Sequence, residues 1–454
     1  MKSLKLIAAS LLAFAAAGLA NATPVYVHLA GATAFRAPTN AAIKAILVPS
    51  SIACAYSGTD YASSSAAIVR GNLVSDGTDV IIKTYWTGSC AGVVDIVEGT
   101  VLTKFIPDSY LPAAGATDVN LASYTGENGT PGLTMSDASS DNCGASVATA
   151  GAPQGGQYSA DVKGAVFVDA GTGATAAAAT VGIVPFKWVA GKQSSGTCPL
   201  TNITQQQAAL LIKAGAHPLD FFTGNSADSG DFVFLVGRNE DSGTRITTFA
   251  EAQQGFGQPC VQWQIQIDGS YTTPSAVGTA VTGLQKWPGN TALNGNTNLK
   301  WAAVGHSGYN GGGDVKNVLK TPNPLTGLTI PSGAPTGWSS SSSKSYLVTC
   351  AGYADADSIA SAGGTNLSYN GVAYSAAAVK AGQYTLWGYE HCYRLGSSSS
   401  NTTGLTQNVL AGTQITVANQ IADAMFGGLA TTDGAGILYT DMLSSRTTVG
   451  AYVK

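Results

Sequence analysis

Charge is scarce in this sequence. Lys, Arg, Asp and Glu make up 11% of its 454 residues, against roughly a quarter in an average globular protein, and 22 Lys+Arg leave a net charge of −4. Basic residues spread this thinly form no patch for nucleic acid and no basic amphipathic helix for a membrane surface. An anion must therefore be held by a local site, because no long-range field gathers it. Histidine is also sparse. His28, His217, His306 and His391 fall in no triad and no metal spacing, so no metal, no cofactor and no enzymatic activity are expected. His391, in GYEHCYR, reads as a packed member of an aromatic cluster, and its neighbour Glu390 as a solvated or ion-paired carboxylate. Beyond residue 22 no apolar run reaches membrane-spanning length, and no repeat of fixed period is present.

Gly, Ala, Ser and Thr take the place of the missing charge. The chain opens with Lys2 and Lys5, an apolar segment from Leu6 to Leu19, and Ala20-Asn21-Ala22, which together read as a secretory signal peptide, residues 1–22. No cysteine follows that site closely, so no lipid anchor is expected. The mature protein is expected in a periplasm or outside the cell. The seven cysteines, Cys54, Cys90, Cys143, Cys198, Cys260, Cys350 and Cys392, read as disulfide partners in an exported chain. Their odd number leaves at least one free or paired between chains, and their wide spacing argues against a zinc cluster.

Three stretches read as a strand, a polar turn and a helix in succession. Val25 to Ala30 leads through Gly31-Ala32-Thr33-Ala34-Phe35-Arg36 into a helix from Thr39 to Leu47, with Pro38 near a first turn. Val80 to Trp86 leads through Gly88-Ser89-Cys90-Ala91-Gly92 into Val93 to Val97. Phe232 to Val236 leads through Arg238 and Ser242-Gly243-Thr244 into a helix from Arg245 to Gln253. Such turns offer unpaired N–H groups at the positive end of a helix, hydroxyl donors, and a glycine that lets a ligand come close. Arg238 adds a forked cation suited to an oxyanion. A Ser-Gly-Thr turn alone is more often a plain helix cap beside a surface arginine, so the weight rests on the turns together. Ser136-Asp137 reads alone as a cap or turn, and beside three such turns as an acceptor carboxylate.

Elsewhere, Val181 to Val189 carries Pro185 and suits an edge strand or a crossover, and Ile203 to Ala214 reads as a helix closed near Gly215. Residues 258–345 read as loop-rich, with glycines at 311–313 and an exposed serine run at 339–343. Tyr346 to Cys350 reads as a strand, Gly382 to Arg394 as aromatic core, and Val417 to Met425 as a final helix.

In matching order, GATAFR at Gly31 to Arg36, GSCAG at Gly88 to Gly92, Ser136-Asp137, and R-x-x-x-S-G-T at Arg238 to Thr244 resemble the phosphate-type substrate-binding proteins of ABC importers. The resemblance implies an α/β chain of the two-lobed class II periplasmic-binding-protein fold with two crossover strands. It implies a first lobe from residues 23–190 and 346–454, a second from 191–345, and crossings near Val181 to Ala190 and Ser345 to Tyr353. By the same resemblance, Thr33, Ala34, Ser89, Asp137, Arg238, Ser242, Gly243 and Thr244 contact phosphate or a similar oxyanion, Glu240 supports Arg238, and an ABC permease is the partner. A secreted structural or surface protein keeping the fold without an uptake role is the alternative. The chain departs from the family pattern at Ala34, inserted before Phe35 and Arg36, and at Cys90, where a small polar residue is usual. Arg36 either enters the site or covers the surface.

Overall fold

The computed structural model describes residues 23–143, 161–162, 164–169, 171, 180–255, 260–271, 276–289, 291–293, 296–301, 304–434 and 436–447. The expected signal peptide lies outside them. Among the described residues no helix is long and apolar enough to cross a membrane.

The fold is mixed α/β. Strand β1 (Val25–Gly31) runs into helix α1 (Arg36–Ala45), followed by β2 (Ala53–Ser57), β3 (Ala66–Asn72), β4 (Asp79–Tyr85), α2 (Ser89–Glu98) and β5 (Leu133–Ser136). Then come β6 (Thr180–Ala190), α3 (Gln205–Ala214), β7 (Ala216–Pro218), β8 (Phe232–Leu235), α4 (Gly243–Glu251) and α5 (Gly312–Lys320). The chain continues through β9 (Ser345–Gly352), α6 (Tyr353–Ser361), β10 (Trp387–Leu395) and α7 (Thr413–Phe426). One sheet joins the strands in the order β7-β8-β9-β6-β10-β5-β1-β4-β3-β2. Strand β1 lies parallel to β4 and β5, and β8 lies parallel to β9.

Helix signals in the sequence explain several of these boundaries. Thr204 accepts from Gln207 N while the Gln207 side chain takes Thr204 N, a reciprocal cap that starts α3, and Gly215 ends it at φ 77°. Pro38 sits in the first turn of α1, where its missing N–H breaks no helical bond.

Strand β6 changes partner midway. Thr180 to Pro185 pair with β10, and Phe186 to Ala190 pair with β9. Pro185 falls at the exchange, the one place in a buried strand where a missing donor interrupts neither ladder. A large apolar core includes Val27, Leu29, Ile183, Trp188, Val348 and Trp387, and a second includes Phe234, Trp263, Tyr309 and Leu347.

The described residues of 258–345 hold more regular structure than the glycines and serines of that stretch suggest. They contain an antiparallel pair, Trp263–Ile267 with Val281–Lys286, and the whole of α5. Glycines 311–313 are the start of that helix, not a loop. Asp314 accepts from Gly311 N at 2.9 Å and so supplies the N-terminal carboxylate that the glycines lack. The expected abundance of disulfides is also corrected. Cys90 and Cys143 are bonded, whereas Cys54, Cys198, Cys260 and Cys350 are buried thiols.

Candidate functional site

Two sets of strand ends feed one region, β1, β4 and β5 running parallel to one another and β8 and β9 running parallel to each other in the opposite sense. The carboxyl ends of β1, β4, β5, β8 and β9 lead to Thr33, Ser89, Asp137, Arg238 and Gly352 respectively. In open α/β sheets this is where side chains and helix starts converge. Gly31 makes the first of these exits possible. Its φ is +121°, and a Cβ there would lie 2.6 Å from Met135 N, so only glycine lets the turn close onto β5, where Ala32 N donates to Met135 O at 2.8 Å.

A cavity of about 10 Å³ lies at the centre, lined by Thr33, Ala34, Arg238, Thr244, Gly312 and Gly352, among others. Thr33 and Ala34 precede α1, Thr244 is in the first turn of α4, Gly312 opens α5, and Gly352 is the residue before α6. The N termini of four helices thus face one small space. Each presents N–H groups without intrahelical partners and a partial positive charge equivalent to about half an elementary charge. The start of α2 is adjacent, because Cys90 N donates to Asp241 O at 2.9 Å. A chain with little formal charge has here concentrated backbone dipoles.

Arg238 is the formal cation of the cavity and is buried. Its Nε donates to Tyr309 O at 3.2 Å and its Nη2 to Asn310 O at 2.7 Å. Its own carbonyl is gripped by Arg245 Nη1 at 3.2 Å and Gln262 Nε2 at 2.9 Å. Tyr309 in turn accepts from Ile265 N through its hydroxyl and packs edge-on against Trp287, fixing the support to the second core. Burial works against the charge of Arg238, and Asp137, then Asp314 and Asp355, uphold it. Glu240 is buried in the same loop.

Asp137 is buried beside Ser89, whose hydroxyl donates to Asp137 Oδ1. Burial pushes its carboxyl above the usual range, and the Ser89 hydrogen bond and the Arg238 charge resist. Gly243 packs on this pair so closely that a Cβ would overlap Asp137 Oδ1 and come within 2.7 Å of Ser89 Oγ. Ser242 caps α4, accepting from Arg245 N at 3.4 Å. Thr33, Ala34, Arg238 and Thr244 therefore share the cavity, Ser89, Asp137 and Gly243 form a packed cluster beside it, and Ser242 serves as a cap.

Cys90 is not merely a lost hydroxyl. Its bond to Cys143 ties the start of α2 to the segment just after Asp137. Glu390 departs from its expected state: it is fully buried, both carboxyl oxygens lack hydrogen-bond partners, and burial, with Asp137 nearby, drives its carboxyl well above the usual range. His391 stacks on Tyr393 at 5.1 Å as expected of an aromatic cluster. Sequence reasoning missed Gly312, Gly352 and Asp355, and the positioning residues Arg245, Gln262, Tyr309 and Asn310. Of these, only the Gly311-Gly312-Gly313-Asp314 run carried a local signal, a glycine turn followed by an N-terminal acid. The remainder come from distant segments that only the fold assembles.

No protein-family profile and no curated protein matches the chain. Among solved structures, an ABC-type phosphate transport receptor from Vibrio cholerae aligns over 91% of this chain and 99% of its own, at 8% identity and a TM-score of 0.41. PstS from Borrelia burgdorferi aligns over 90% of this chain and 94% of its own, at 9% identity and a TM-score of 0.34. At this level of likeness the site stands on its own geometry, and the structural neighbours of the chain are phosphate-transport binding proteins.

Proposed function

We propose that the chain is an exported solute-binding protein that captures phosphate or a related tetrahedral oxyanion between two lobes and passes it to an ABC permease. The observation that supports this most is the convergence of the α1, α4, α5 and α6 N termini on the cavity that holds Arg238. Oriented N–H groups and a fixed guanidinium are what an oxyanion needs. The two lobes are residues 23–190 with 346–454, and 191–345, with β6 and β9 as the crossings. Thr33, Ala34, Ser89 and Asp137 bind from the first, and Arg238, Ser242, Gly243 and Thr244 from the second.

A cavity of about 10 Å³ has the room of roughly one water. Entry of the anion therefore requires the walls to part, and closure follows by a hinge at the crossings. Asp137 gives the choice of anion. Phosphate near neutral pH still carries a proton that a buried carboxylate accepts, whereas sulfate offers none and is repelled.

The test is a thermal melt of the mature protein, freed of ligand by partial unfolding, with millimolar phosphate or sulfate. Ligand at a thousand times its Kd stabilises by about 4 kcal/mol, a rise of a few degrees. A phosphate-specific rise is expected. No rise with either anion would leave the secreted structural role as the better account.

A further inference from the structure

The central cavity adjoins a larger cleft of about 200 Å³, and the two share Thr33, Ala34, Gly352 and Asp355 as walls. We infer that the ligand is a phosphate monoester whose small organic arm carries hydrogen-bond donors, hydroxyl or ammonium, with the oxyanion at the Arg238 end and the arm in this cleft. The inference rests on the oxyanion reading above and deepens it, the ester being held as its monoanion, which with a second pKa of about 6 keeps one phosphoryl proton for Asp137 to accept.

Size is the first argument. The cleft has more than ten times the room of the inner cavity, so an inorganic ion at the inner end would leave it to solvent. Chemistry is the second. Two cations, Arg36 and Lys316, and three carboxylates, Asp60, Asp355 and Asp433, line the cleft together with the Tyr353 ring. Both cations are already engaged. Arg36 Nε donates to Thr33 O at 3.1 Å, its Nη1 reaches Ser64 O at 3.5 Å, and Lys316 pairs with Asp355 at 3.1 Å. Asp60 accepts from Ser63 N at 2.7 Å and keeps its second oxygen available. Asp433 lines the cleft as well.

The cleft thus presents acceptors in excess. A second phosphate or a carboxylate on the ligand would meet Asp60 and Asp433, Asp355 being paired with Lys316, and be disfavoured, and a purely aliphatic arm would leave these acceptors without donors. Val184, Ala37, Ala62 and Ala354 give the cleft an apolar lining suited to the carbons of a short arm. Arg36 thereby acquires a role: held by the Thr33 carbonyl, it lines the cleft beside a residue that walls both cavities.

Calorimetry on the ligand-stripped protein decides the matter with four probes: inorganic phosphate, ethyl phosphate, glycerol 3-phosphate and O-phosphoethanolamine. One or both of the donor-bearing esters should bind about tenfold or more tighter than inorganic phosphate and ethyl phosphate. The double variant Asp60→Asn, Asp433→Asn should lose that preference while binding inorganic phosphate as the wild type does. Which ester wins separates an ammonium arm from a hydroxyl arm. Inorganic phosphate binding as tightly as every ester would overturn the inference and leave the oxyanion reading standing. Failure of all four to bind to a protein that melts cooperatively would overturn both.

Discussion

Gly243→Ala puts the packing of the anion seat to the test. In the native chain Gly243 touches the buried pair Asp137 and Ser89, and the next residue, Thr244, lines the cavity. An added Cβ overlaps Asp137 Oδ1 and lies 2.7 Å from Ser89 Oγ. Neither is the loose end of a surface side chain, so either the carboxylate turns away or the start of α4 withdraws. Over-packing of this kind costs about 1–3 kcal/mol of stability. Withdrawal also removes the N–H groups of Gly243 and Thr244 from the anion. Each hydrogen bond to a charged ligand contributes about 1.5–3 kcal/mol, so losing one lowers affinity roughly 10- to 100-fold, and losing both considerably more. Gly313→Ala is the matched control: it also lies in a helix first turn at this site, yet its Cβ would have no atom within 4 Å. Titration calorimetry with phosphate, beside a melt without ligand, reads both effects. Wild-type affinity and an unchanged melt in Gly243→Ala would refute the packing described for the seat.

Three other outcomes are expected. Asp137→Asn should narrow the preference for phosphate over sulfate, because the amide no longer demands a ligand proton; calorimetry with both anions measures it, and unchanged selectivity would reduce Asp137 to a structural cap. Asp95, buried in α2, has its carboxyl raised by burial to about 7. The folded state then holds this proton where the unfolded chain releases it near pH 4, so stability falls as pH rises from about 4 to 7, by up to about 1.4 kcal/mol per pH unit. Asp95→Asn should flatten that part of the pH–stability curve, followed by denaturant titration, and an unaltered slope would assign it to other acids such as Asp241 and Glu390. Cys143→Ala should lower stability, by about 4 kcal/mol for a disulfide closing 53 residues, and weaken phosphate binding by freeing the segment after Asp137. Loss of stability with intact affinity would confine the bond to a structural role.

The legible parts of this protein were those whose signals are local. Gly31, Gly88 and Ser242-Gly243-Thr244 marked strand-to-helix turns because glycine and small hydroxyl residues are what such turns require. Pro185 marked a strand that could not be hydrogen-bonded on both sides at that point, and β6 changes partner there. The glycines at 311–313 misled for the converse reason. A glycine run usually breaks a helix, and only Asp314, reaching back to Gly311 N, allows one to start. Glu390 misled because sequence position gives no burial, and a strand that looks aromatic can still seat a carboxyl at its centre.

The sequence by itself determined the alternation of strands and helices, the polar turns, the poverty of charge, and hence the need for a local anion site. These follow from periodicity, turn chemistry and composition, each read within a dozen residues or so. Tertiary structure alone decided that Thr33, Thr244, Gly312 and Gly352, hundreds of residues apart at the extremes, present helix N termini to one cavity. It also decided that Tyr309, Asn310, Arg245 and Gln262 hold Arg238 in place, and that Cys90 bonds Cys143. Helix dipoles act over a turn or two and hydrogen bonds over about 3 Å, so their sum at a point depends on where the sheet carries each strand end.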